Sequence, residues 1–222
     1  MRLAALVALV LGASCGGGDG GTGIPDASSS SDGSSSSDAP AQLHGLLVSW
    51  KAMPMLPGML KTDLEVTGAT FQVNRLQVIG DNGQPSTMTP LTAAWTEQGG
   101  GDPATIAFAS APSGLYSQVT LDIAAAQGNT YEILGTTKIS GVVESFRIHD
   151  DNDLDVDITG YTVSLPPGGD ATAVIKVELK DAVASVNFDQ LPVVGGVRDL
   201  GPNDPQMANF RDKLDAAFRR GP

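Results

Sequence analysis

From Leu43 onward, hydrophobic side chains recur at every second position. Over 115–123, Leu115, Val119, Leu121 and Ile123 fall on one face, and Tyr116, Gln118, Thr120 and Asp122 on the other. That alternation predicts a half-buried strand, with one face on a core and one in water. It returns over 154–158, where Leu154, Val156 and Ile158 interleave with Asp153, Asp155 and Asp157. It returns again over 161–165, carried by Tyr161, Val163 and Leu165, and over 175–179, carried by Ile175, Val177 and Leu179. Further strands are predicted over 43–50, 104–109, 130–134, 142–148 and 182–188, and over 64–79 with a phase slip near Asn74-Arg75.

Turn formers separate these runs. Asp81-Asn82-Gly83, Gly99-Gly100-Gly101-Asp102-Pro103, Pro112-Ser113-Gly114, Gln127-Gly128-Asn129 and Pro166-Pro167-Gly168-Gly169 supply the positive-φ and fixed-φ residues that tight connections use. About eight to ten short strands so punctuated predict an all-β domain over 42–200, an antiparallel two-sheet β-sandwich. A barrel built of the same strands satisfies the pattern equally, since one sequence does not give strand order. One-face-wet strands are the mark of antiparallel pairing.

The end of the chain, 201–222, changes period. Asp204 stands as an N-cap with Pro205 in the first helical position, and Met207, Phe210, Leu214 and Phe218 form an apolar stripe. Arg219-Arg220 then complement the carboxyl end of a predicted C-terminal helix. The stripe suits docking on the sandwich or, alternatively, a partner; the acidic Asp212 and Asp215 argue against a membrane surface.

The first residues read differently. Arg2 precedes an unbroken apolar run from Leu3 to Leu11, and the small residues Gly12-Ala13-Ser14 lead into Cys15. A run this short does not span a bilayer, which takes about 20 apolar residues, so 1–14 reads as a removable secretory signal. Small residues before a lone cysteine, with Gly16-Gly17-Gly18 after it, resemble the processing site of bacterial lipoproteins. The resemblance implies diacylglycerol on the Cys15 thiol and an acyl chain on its new amino group. It also implies the outer membrane, since Gly16 and not Asp follows the cysteine. Gly12 stands where that family usually has Leu, and ordinary cleavage near Ala13 is the alternative, leaving a soluble chain with one thiol. Residues 15–41 are nearly all Gly, Ser and Asp, including Ser28 to Ser31 and Ser34 to Ser37. Such a segment buries too little apolar surface to offset its ordering entropy and is expected to be a disordered tether spanning roughly 25–30 Å.

Composition narrows the chemistry. Acidic residues outnumber basic ones 25 to 13, for a net charge of −12, which argues against a polyphosphate partner and hence against nucleic acid. Cysteine occurs only at Cys15 and histidine only at His44 and His149, so neither an internal disulfide nor a cysteine-rich zinc site can form. Neither histidine lies near a Gly-x-Ser-x-Gly context and no phosphate-binding glycine loop opens a predicted helix, so no enzymatic activity is expected.

Two clusters invite a ligand. Asp150, Asp151 and Asp153, within the run His149 to Asp157, are candidate oxygen ligands for calcium. An EF-hand begun at Asp151 fails, with Val156 where Gly is needed and Thr162 where a bidentate Glu is needed. Trp50, Trp95, Tyr116, Tyr131 and Tyr161 offer either core or a stacking platform for sugars.

The run Ala111-Pro112-Ser113-Gly114-Leu115-Tyr116, followed by Tyr131 to Gly135, Phe146-Arg147-Ile148 and the Pro167-Gly168 turn, resembles an uncharacterised all-β domain of bacterial lipoproteins. The similarity covers 64–188 and implies a sandwich of the immunoglobulin-like or transthyretin-like kind; it transfers no catalytic residue. Together these readings predict a non-enzymatic, lipid-anchored envelope protein, periplasmic or surface-facing. Its sandwich would be an interaction or structural module for an unidentified protein or glycan. The alternative is a carbohydrate- or calcium-binding domain for adhesion or capture.

Overall fold

The computed structural model describes residues 43–222 apart from 97, 98 and 100. The expected signal at 1–14, Cys15 and the expected tether to residue 41 lie outside the described residues. Thirteen strands form two sheets among the described residues. The smaller sheet has the order β13-β10-β1-β5, built from β1 (Leu46–Ala52), β5 (Ile106–Phe108), β10 (Ala171–Val177) and β13 (Phe218–Arg220).

The larger sheet is organised on β3 (Leu64–Gly80), a 17-residue strand. Its first half pairs with β7 (Tyr131–Ile139) and its second half with β6 (Gly114–Ile123). Beyond β6 lies β9 (Leu154–Leu165). Beyond β7 follow β8 (Val142–Asp150), β12 (Val197–Leu200) and β11 (Val193–Val194). Two further strands, β2 (Gly58–Lys61) and β4 (Leu91–Thr96), also pair with β3.

The predicted all-β sandwich with a short C-terminal helix is the observed layout, with one addition to strand direction. β1 runs parallel to β10, and β12 parallel to β8, while the other pairings are antiparallel. Alternation reports which face of a strand is wet, and a strand half-buried beside a parallel neighbour alternates in the same way.

Aromatic rings join the two sheets. Trp50 of β1 meets Trp95 of β4 edge-on at 6.3 Å, Trp95 meets Phe71 of β3 at 6.2 Å, and Phe71 meets Phe218 of β13 at 5.3 Å. All four are buried, and rings of this size each bring a large apolar area to the core. Tyr116, Tyr131 and Tyr161 are buried as well.

The inward turn of Tyr116 corrects the alternation read from the sequence. Ile79 pairs with Gln118 and Gly80 with Tyr116, so Ser117 is an extra residue in β6. A bulge of one residue reverses which side chains face the core. Leu115 is thereby exposed, and the Tyr116 hydroxyl donates to the Pro112 carbonyl at 2.6 Å. The segments 154–158 and 161–165 are one strand, with the phase shift taken up at Gly160, whose φ is +82°.

Two other expectations change. The predicted strand at 182–188 is a short helix α1 (Lys180–Ala184) followed by a 3-10 turn (Phe188–Gln190). Adjacent Ala182 and Val183 are both buried, which a strand with one wet face does not allow. The final helix, α2 (Met207–Asp215), buries Met207, Phe210 and Leu214 as the stripe requires, but it stops before Phe218. Phe218 instead enters the smaller sheet in β13, opposite Val177. Asp204 accepts a bond from the Gln206 backbone N–H at 2.8 Å in the turn before α2, and Arg219 donates to the carbonyl of Ala216 at its end. Among the described residues, no helix is long and apolar enough to cross a membrane.

Candidate functional site

β8 ends on Asp150. Along that strand Phe146 and Ile148 point inward, and the same phase carries Asp150 in with them, to full burial. A carboxylate so placed must be paired. Arg211 of α2 clamps it with two bonds, Nε to Oδ2 and Nη2 to Oδ1 at 2.9 Å. The Tyr131 hydroxyl donates to Oδ2 at 3.0 Å, and the Asn152 side-chain amide to Oδ1 at 2.8 Å. Burial on its own would raise the carboxyl, but the bonds from Arg211, Asn152 and Tyr131 outweigh it and hold Asp150 at about 2. Burial, and then the neighbouring carboxylate, push the Tyr131 hydroxyl up, so it stays a donor.

This geometry replaces the calcium reading of Asp150, Asp151 and Asp153. Both oxygens of Asp150 are occupied from inside, whereas Asp151 and Asp153 are exposed on the turn that leads to β9. With Asp150 turned inward and its oxygens taken by Arg211, the three carboxylates do not form the convergent oxygen cage that calcium needs. Among the described residues, no group of three or more His, Cys, Asp or Glu side chains is arranged to hold a metal ion. The sugar-stacking reading of Trp50, Trp95, Tyr116, Tyr131 and Tyr161 is corrected on the same ground, because all five are core.

The histidines sit apart from the larger cavities. His44 is exposed, 3.4 Å from Asp170. His149 lies between Asn129 at 3.3 Å and Asp199 at 3.4 Å, and Arg147 bonds the same Asp199 oxygen at 2.7 Å. Burial would raise Asp199, but the Arg147 bond dominates together with His149 and lowers it. This is a half-buried polar network tying β12 to β8, with no serine or threonine hydroxyl among those partners.

The feature best suited to a ligand was not legible in the sequence. A cavity of about 680 Å³ opens between the segment Gln84 to Leu91 and the segment Ile106 to Pro112. Pro85, Met88, Leu91, Ile106, Phe108 and Pro112 give it an apolar lining. Met88 is 94% exposed over it. One wall is β5, the outer strand of the smaller sheet. The other is the stretch 85–87, in which the Pro85 carbonyl accepts from Val78 and the Thr87 N–H donates to Leu76, both of β3. Backbone groups of successive residues in a strand point to opposite edges, so those of Ser86 face away from β3, and Ser86 is among the residues that line the groove. No family of known proteins matches the chain, and neither curated proteins nor solved structures give a match. Chemically, the groove offers apolar contact between two strand edges, the two requirements for taking up an extended segment.

Proposed function

We propose that the chain is a non-enzymatic lipoprotein of the bacterial cell envelope, displaying its β-sandwich as a protein-interaction module. The address rests on Cys15, the lone cysteine at the junction of an apolar leader and a Gly/Ser/Asp spacer. Several acyl chains there, at about 0.8 kcal/mol per buried CH₂, would hold it durably on the outer membrane. Replacing Cys15 by Ala is expected to abolish palmitate labelling and to shift the chain out of the membrane fraction. Continued labelling or membrane retention in that variant would remove the anchor from the account.

The observation that carries the interaction reading is the groove between β5 and the 85–87 edge. Its occupant is an extended polypeptide segment of a partner. Its alternate apolar side chains would enter between Ile106, Phe108 and Leu91, while its main chain bonds a strand edge. With a net charge of −12 on the whole chain, the protein favours an uncharged or basic segment over an acidic one. Selection from a random peptide library on the full-length protein tests this. Enriched peptides should alternate apolar and polar residues, and Met88→Asp should weaken them at least about tenfold, a cost near 1.4 kcal/mol. Enrichment without that alternation, or binding indifferent to Met88→Asp, would sink the reading.

A further inference from the structure

A second concavity of about 620 Å³ lies elsewhere on the larger sheet, against the middle of β3. Gln72, Asn74, Gln127 and Asp153 supply its polar lining, and Pro90 with Ala124 to Ala126 its apolar floor. β3 carries a register shift between Val73 and Arg75 in its pairing with β6, beside Asn74. Bulges of this kind re-aim side chains and gather next to functional sites.

The two amides are each held by a side chain of a neighbouring strand, Thr92 of β4 and Asp122 of β6. The Thr92 hydroxyl donates to Gln72 Oε1 at 2.9 Å, which leaves the Gln72 NH₂ to donate elsewhere. Asn74 Nδ2 donates to Asp122 Oδ2 at 2.8 Å, which leaves its carbonyl oxygen to accept. A fixed donor and a fixed acceptor therefore stand two residues apart on one face, with the exposed carboxylate of Asp153 on the far side. Asp151, Asp155 and Asp157 crowd the neighbouring turn and strand, so the field there repels anions.

We infer that this cleft binds a neutral polyhydroxylated ligand, a sugar residue. One hydroxyl would accept from Gln72, its neighbour would donate to Asn74 or Asp153, and an apolar ring face would rest on the alanine methyls and Pro90. A vicinal diol matches a donor beside an acceptor, and a ligand bearing carboxylate, sulfate or phosphate is opposed by the surrounding aspartates. The site shares no lining residue with the peptide groove, and either can fail without the other.

The full-length protein in detergent micelles would be presented with a glycan array. The array holds neutral glucose and N-acetylglucosamine oligosaccharides beside uronic-acid and sialic-acid glycans. Binding confined to neutral glycans is expected, weakened about tenfold or more by Asn74→Ala and by Gln72→Met. Both variants should keep the parent melting temperature, and Met88→Asp should bind glycans as the parent does. A preference for acidic glycans, no neutral glycan bound, or binding unchanged in folded Asn74→Ala would each overturn the inference.

Discussion

Removing the guanidinium with Arg211→Met is expected to lower unfolding free energy by about 3 kcal/mol at pH 7, read by urea denaturation. The reason is the carboxylate left behind. Asp150 is fully buried and takes two of its bonds from Arg211, so the variant strands a charge that only Tyr131 and Asn152 still contact. The cost falls at the lower end of the range for broken buried pairs, because the Arg211 side chain is itself 30% exposed. Replacing both partners, Arg211→Met with Asp150→Asn, should recover part of the loss, since an amide is cheaper to bury than an unpaired charge.

The pH dependence has a definite sign. The folded value of Asp150, about 2, lies below its ordinary value of 3.8, so its ionised form stabilises the fold fully above the latter. That contribution is lost as pH falls through about 2. In Arg211→Met burial acts on Asp150 without the guanidinium, so its carboxyl should take up a proton at higher pH than in the parent, and the gap between the two should be widest near neutrality and close on acidification. A gap that widens in acid would mean that the pair does not hold Asp150 ionised.

The second large effect is at Gly135 in β7. It pairs with Val66 of β3 on one side and Phe146 of β8 on the other, beside a bulge at Thr67. A Cβ there would overlap the backbone carbonyl oxygen of Glu65 and the ring of Phe146. The ring is held from its other side by Phe188, 4.7 Å away, and the Glu65 carbonyl belongs to the central strand, so neither yields cheaply. Gly135→Ala is expected to cost about 3 kcal/mol or more by urea denaturation. Thr136→Ala, one residue on and half-exposed, should stay within about 0.5 kcal/mol. Equal effects at the two positions would show that the close approach is not what constrains this strand.

What the sequence shows and hides follows from what alternation encodes. It reports face, so β3, β6, β8, β9 and β10 are legible from it, and the break near Asn74-Arg75 is the bulge seen in β3. It does not report partner or direction, so the parallel β1–β10 and β12–β8 pairs are invisible to it. Short strands such as β2, β11 and β13 carry too few residues to show a period.

Bulges defeat it locally, as at Ser117, where the flip hides Tyr116 in the core and removes an exposed ring from the sugar argument. Asp150 is the opposite case. It continues the inward phase of Phe146 and Ile148, and the cation at Arg211, 61 residues on, completes it. Reading Asp150 with the acidic run after it, and not with the strand before it, is what suggested calcium. The groove and the amide cleft have no local signature, because each is assembled from segments far apart in the chain.

Amide hydrogen exchange on the full-length protein, with and without a library-selected peptide, tests strand uptake in the groove most directly. The Ser86 N–H points away from β3 in a stretch that lines the groove, so it should exchange freely alone and gain protection when the peptide is bound, together with at least one amide of β5. Protection confined to residues away from 84–91 and 106–112, or a bound peptide that leaves Ser86 exchanging as before, would contradict it.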